Sequence, residues 1–276
     1  ERFRRPGVFA RPCPLAIARQ RQELAERLLD GDIDGAIRLA RRVCDQAPHE
    51  PRYQLDLAGI LVSAGLSEEA AEIYRTIAGN REEMSSTIRA RALGQLVQLA
   101  ARAGDLDRVS ELLEQSSALP LPDGPKRVAL TQLFAARHRG PAGAPLRAYF
   151  WAHDPRVDTD RLVLVGRAAQ VIAAEPDLGL GYYLLGRLIN GRGAPDEAAR
   201  LLARALDLGL SNEFLRREAA RLLAESSYMA SAEDLTRRAA AILMEPEQPA
   251  VTRLYGADWL ERLRWKRARS ETTAAR

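Results

Sequence analysis

Cysteine, histidine and aromatic residues are scarce in this chain, and the scarcity of the first two removes a class of function. The 276 residues include two cysteines, Cys13 and Cys44, and three histidines, His49, His138 and His153, which leaves multi-cysteine zinc sites and haem motifs without ligands. No cofactor is expected. Long apolar runs are also missing: the longest, Leu57 to Leu66, is about half of what a hydrocarbon core requires, and no charged-then-apolar leader is present. The signatures of catalysis are absent in turn, with no Gly-x-Ser-x-Gly elbow, no phosphate-binding Gly-x4-Gly-Lys-Ser/Thr loop and no His-Glu-x-x-His. Gly179-Leu-Gly181 precedes a helical stretch, yet Leu184 stands where a third glycine belongs and no strand leads in. These gaps point to a non-catalytic chain.

What is present is an ordinary soluble composition, 46% hydrophobic and 28% charged, with 41 Lys+Arg against 37 Asp+Glu. The excess of basic residues belongs to the ends. Residues 1–12 carry +3 and residues 261–276 carry +4, leaving the long body between them at −3. A nucleic-acid binder spreads Lys and Arg along the surface that tracks phosphates, so this distribution disfavours one. Residues 1–12 have neither a helical nor a strand period and read as a basic linker. If a membrane helix precedes Glu1, their Arg cluster marks its cytoplasmic flank. The expected location is accordingly the cytoplasm, alone or as the soluble domain of an inner-membrane protein.

Small residues recur at a fixed interval. Gly31 and Gly65 lie 34 residues apart, as do Ala36 and Ala70, Gly186 and Ala220, Ala198 and Ala232, and Ala205 and Ala239. Such a period is the mark of helix pairs stacked into a solenoid, because helices of adjacent layers approach closely only where the facing side chains are small. Turn signals such as Asp30-Gly31-Asp32, Ala64-Gly65 and Ala103-Gly104-Asp105 separate fourteen expected helices between residues 14 and 268, with no credible strand. Between 119 and 160 the register is lost among prolines and glycines. The expected organisation is therefore a linker (1–12), N-terminal repeats (13–118), an irregular connection (119–160), C-terminal repeats with a capping helix (161–268) and a tail (269–276).

The stretch Tyr182, Leu185-Gly186, Ile189, Gly193, Ala198, Leu202, Ala205, preceded by Pro176, resembles the tetratricopeptide repeat. A less complete copy runs through Leu57-Ala58, Leu61, Gly65, Ala70 and Tyr74, and a degenerate first unit keeps Gly31, Ala36 and Pro48. The resemblance implies an all-α solenoid of about seven antiparallel helix pairs. It also implies a protein or peptide ligand held on the concave face, by residues one, five and eight places after the first large position. In the best-matching unit those are Tyr183, Arg187 and Asn190, and one period later Arg217 and Arg221. Arginine grips carboxylates bidentately, so this part of the groove suits an acidic segment or a chain-terminal carboxylate. The alternative is a solvated basic stripe.

The equivalent N-terminal positions, Arg21, Ala25 and Leu28, then Leu55, Gly59 and Val62, then Gly94, Gln98 and Ala101, are mostly small or apolar. They suit an amphipathic helix with Gln98 supplying one orienting hydrogen bond, or else they are buried by tight packing. Two aromatic features stand apart. Tyr149-Phe150-Trp151 spans too wide an arc for one buried stripe, so at least one ring, with Trp151 the candidate, is expected at a seam or a partner. Trp265 lies among Arg262, Lys266 and Arg269, away from the apolar face of the last helix, either as an anchor or as a cap.

Two acidic clusters imitate metal sites. Asp30-Gly-Asp32-Ile-Asp34-Gly35 opens like a calcium loop, but its twelfth position is Arg41 rather than a bidentate Glu, and a helix-capping turn is the better reading. His153, Asp154, Asp158 and Asp160 have no further soft ligand nearby. The role expected is a scaffold or assembly adaptor within a larger, bacterial-type protein, membrane-anchored or not, with homo-oligomerisation left open. A regulatory helical domain of an enzyme and an RNA-binding helical repeat are the alternatives.

Overall fold

A computed structural model of the protein describes residues 14–151 and 161–274. The basic segment 1–12, Cys13 and the cluster of His153, Asp154, Asp158 and Asp160 lie outside the described residues. Among those described there are fourteen α-helices and no strand. They run α1 Pro14–Leu29, α2 Ile33–Gln46, α3 Pro51–Ser63, α4 Ser67–Gly79, α5 Ser86–Arg102, α6 Leu106–Ser117, α7 Asp123–Arg137, α8 Gly143–Trp151, α9 Arg161–Ala174, α10 Gly179–Ile189, α11 Pro195–Leu208, α12 Glu213–Met229, α13 Glu233–Leu243 and α14 Ala250–Ala274. Two compact units divide the chain, Glu1–Ala129 and Leu130–Arg276. Within the first, α1 to α6 each pack on the next; within the second, α8 and α9 pack together and α9 to α14 continue as a series in the same way. This is the all-α solenoid arrangement that the period implies.

The turns inside helix pairs share one chemistry. At Gly31, Gly65 and Gly104 the backbone is left-handed, with φ of +77°, +80° and +76°, a region in which glycine carries no Cβ penalty. In each, the amide after the glycine donates across the turn to the helix end: Asp32 to the carbonyl of Arg27, Leu66 to that of Leu61, and Asp105 to that of Ala100. This is the Schellman arrangement, which satisfies carbonyls left open at a helix terminus. The fourth copy uses Ser231, at φ +60°, with Ala232 donating to the Ser227 carbonyl. Asp32 and Asp105 then cap the next helix through their side chains, accepting from the amides of Gly35 and Arg108 at 2.9 Å each. Asp32 is thus a helix cap.

Small residues occupy the contacts between layers. Ala36, Ala70, Ala198, Ala205, Ala220 and Ala239 are fully buried. A Cβ on Gly186 of α10 would lie 2.9 Å from Leu202 Cγ on α11, so only glycine admits that approach. Ala232 departs from the expectation: it is half-buried and serves as the N-cap of α13. The cause lies in α12, which is 17 residues long against 11 for α10, so α13 starts one turn late and Thr236 takes the fully buried place. A slip of four residues keeps the same face of a helix inward, which is why Ala239, Ala240 and Leu243 remain buried.

Two prolines of the central stretch lie at helix starts and break nothing. Pro125 and Pro145 sit in the first turns of α7 and α8, where no intrahelical amide bond is lost. His138, just after α7, donates its Nε2–H to the Glu175 carboxylate at 2.8 Å, and the same carboxylate accepts from the Ala142 amide at 3.1 Å. These bonds tie the turn before α8 to the end of α9.

Candidate functional site

In the first unit, the positions expected to line the inner wall are mostly open. Ala25, Leu28, Gly59 and Gly94 are exposed, and Val62, Gln98 and Ala101 are half-buried. A Cβ built on Gly59 or Gly94 meets nothing within 4 Å. The exception is Leu55, 5% exposed, which packs into the layer and presents no surface to a ligand. Arg21 closes the wall on one side, 3.8 Å from Asp56 and with its guanidinium 5.9 Å from the Tyr53 ring centre. A wall made of helix backbone and small side chains lets an incoming helix approach closely.

The second unit combines burial and charge. Tyr183 is 0% exposed and belongs to the core with Leu146, Tyr149 and Val171, because α10 is packed by α9, α11 and α12 together. It is a core residue, not a groove residue. One turn further on, the face opens and Arg187 and Asn190 are half-buried. On α12, Arg217 is half-buried with its guanidinium 5.2 Å from the Phe214 ring centre, and Arg221 is exposed. None of Arg187, Arg217 and Arg221 has a carboxylate partner among the described residues, whereas Arg216, Arg237, Arg238 and Arg267 of the same unit each hold one.

Arg216 shows what a structural arginine looks like here. Its two terminal nitrogens each donate to Glu245 at 2.5 Å, and Gln248 donates to Glu213 alongside. Donating to Glu245 raises the Arg216 pKa, and accepting from Arg216 holds the Glu245 carboxyl below the usual range. This bracket joins α12 to the turn after α13.

The aromatic candidates part company. Trp151 is half-buried and tilted against Phe150, ring centres 6.0 Å apart, with its indole nitrogen buried. Trp265 is 73% exposed. Its neighbour Lys266 turns inward, donating to the Ser231 hydroxyl at 2.8 Å and lying 4.9 Å from the Tyr228 ring centre. The capping role on α14 falls to Trp259, buried between Tyr228 and Tyr255.

A second concavity lies where no motif pointed. Between α4, α5 and α6 is a cleft of about 690 Å³ whose lining includes Arg75, Arg81, Arg89 and Arg108. These arginines are scattered over three helices and the turn between α4 and α5, where Arg81 lies, and acquire a common address only when the helices stack. Burial pushes the Cys44 thiol up to about 11, which keeps it protonated at neutral pH, and no cluster of three metal-ligating side chains exists among the described residues. No described helix is long and apolar enough to cross a membrane.

Comparison with known proteins bears on the repeats. Residues 27–83 match the family model described as tetratricopeptide repeat. No curated protein sequence matches the chain. Among solved structures, the P58(IPK) tetratricopeptide-repeat domain is 13% identical, covering 94% of this chain and 68% of that one at a TM-score of 0.39. The TPR2AB domain of yeast Sti1, solved as a complex with pHSP90, is 13% identical over 83% of this chain and 90% of that one, at 0.37. Pseudomonas aeruginosa pilF is 12% identical over 87% and 95%, at 0.35. At these scores, the likeness says nothing of what this chain binds.

Proposed function

We propose, from the premise that the chain is a divergent tetratricopeptide-repeat protein, that it is a non-catalytic scaffold which holds acidic segments of other proteins on the inner faces of its helix pairs. The observation that carries this reading is the set Arg187, Arg217 and Arg221, three guanidinium groups on the contacting helices α10 and α12, without carboxylate partners among the described residues where neighbouring arginines are paired. An arginine without a counter-ion retains its full capacity for bidentate recognition. Asn190, at the end of α10, adds an amide that orients a bound backbone. The open glycine-lined wall of the first unit, with Val62 and Gln98, provides a complementary apolar surface for a helical partner.

Neither alternative gains an observation of its own. The ring of Phe214, next to the arginine row, is already engaged by Arg217, and that of Tyr183, one turn before Arg187, is buried, so neither is offered to stack on a base. The test is selection from a displayed peptide library on the intact protein and on the variant Arg187→Ala/Arg217→Ala/Arg221→Ala. Wild-type protein is expected to enrich, among others, a set of Asp- and Glu-rich sequences without leucine that the variant fails to enrich. Identical enrichment on both proteins would remove the second unit as the binding surface.

A further inference from the structure

The cleft on the first unit faces away from the inner wall. On α5 its lining residues are Arg89, Leu93 and Leu96, whereas the inner-wall positions are Gly94, Gln98 and Ala101. At 3.6 residues per turn the two sets point roughly 140° apart. The cleft is therefore a separate feature, on the outer side of the same helix.

Its construction is amphipathic. Leu93, Leu96, Leu112 and Leu119 are buried at its floor, and the four arginines supply all the charge of its lining, with no acidic side chain among them. Arg81 has no carboxylate partner among the described residues. Arg89 uses its Nε to donate to the Ala78 carbonyl at 2.9 Å, which fixes the side chain at the cleft and leaves its terminal nitrogens for other acceptors. Arg75 and Arg108 are held by Glu72 and Glu111 from outside the lining. Those glutamates are largely exposed, and exposed pairs of this kind are weak enough to be exchanged for a ligand's carboxylates.

We infer that this cleft docks an acidic, leucine-bearing segment of another protein, with carboxylates on the arginine rim and an apolar side chain on the leucine floor. Charge complementarity sets the sign of the ligand, and the floor requires it to carry an apolar anchor, which a free anion lacks. The volume falls within the range of about 300–1,000 Å³ usual for binding sites. No aromatic ring lines the cleft, so it lacks the stacking platform of a nucleic-acid groove. Its leucines are recessed below the arginines, the reverse of a surface whose apolar groups project into a bilayer.

The probe is a fluorescein-labelled peptide alternating Leu with Asp and Glu, titrated into the full chain by fluorescence polarisation. Binding is expected to weaken by about tenfold or more in Arg81→Glu/Arg89→Glu and to fall with salt. It should persist unchanged in Arg187→Ala/Arg217→Ala/Arg221→Ala, which separates this site from the one proposed above. Because Arg89 also bonds the α4 carbonyl, Arg81→Glu alone is measured beside it, with helicity checked by circular dichroism. Exchange of Lys for every acid, or of Ser for every Leu, is expected to abolish binding, and hydrogen exchange should slow in residues 78–93 of the peptide-bound protein. The inference is overturned by no binding up to ~1 mM, by affinity indifferent to Arg81 and Arg89, or by loss of binding in the triple variant. Tighter binding, through the same arginines, of an oligonucleotide or of phosphatidylglycerol vesicles overturns it as well.

Discussion

Single side chains decide both how closely the layers approach and how the protein responds to acid. Gly179, at the start of α10, has the carbonyls of Gly209 and Ala205 so near that a Cβ would lie 2.3 and 2.8 Å from them. Backbone does not yield as a side chain does, so Gly179→Ala is expected to destabilise the second unit by about 1–3 kcal/mol, measured by urea denaturation. Glu245 and Glu175 have depressed carboxyl pKa values, the first through Arg216, the second through His138 and then the Ala142 amide. A carboxyl whose folded pKa lies below its unfolded value stabilises the fold fully above the unfolded value, and that contribution disappears as pH falls through the folded one. Stability of the second unit should therefore decline below the ordinary carboxyl pKa of 4.5. Denaturation curves of Glu245→Gln are expected to start lower at neutral pH and to fall less on acidification than those of the wild type.

At the scale of the helix, the junction of α12 and α13 is where the repeat deviates and where its compensation is visible. The late start of α13 buries Thr236, whose hydroxyl meets Ser227 Oγ at 2.8 Å and donates to the Ala232 carbonyl at 3.1 Å. Thr236→Val keeps the shape and removes the hydroxyl, for an expected loss of about 1 kcal/mol, read as a drop in the thermal midpoint. The same junction illustrates what a sequence makes legible. Helix starts at Ile33, Ser67 and Pro195 and the glycine turns could be placed from local chemistry, because caps and left-handed positions are written in adjacent residues. The extra turn of α12 could not, since Ala198 and Ala232 keep a perfect 34-residue spacing while the helix ends move. Tyr183 was legible as a helix position but not as a buried one, and for Leu55 burial was only one of two open readings, because what covers a face is decided by helices remote in sequence. The outer cleft was illegible for a related reason: Arg75, Arg81, Arg89 and Arg108 share no spacing and are gathered only by stacking.

For the molecule as a whole, the proposed function rests on a division of positions into closed and open. Ala36, Ala70 and Ala198 are small because another layer lies against them, whereas Gly59 and Gly94 are small on a wall that faces open space. In a stack where each layer contacts its neighbours, an oversized residue at a closed position strains the local interface, and one at an open position changes only the surface offered to a partner. The decisive measurement is thermal unfolding of two matched sets, Ala36→Leu, Ala70→Leu and Ala198→Leu against Gly59→Leu and Gly94→Leu. The first three are expected to lose about 1–3 kcal/mol each through overpacking, several degrees in midpoint for a chain of this size. The last two should hold or gain stability, since leucine is the better helix former. Equal destabilisation by both sets would contradict the account, for it would mean that the inner walls are packed shut and offer no face to bind with.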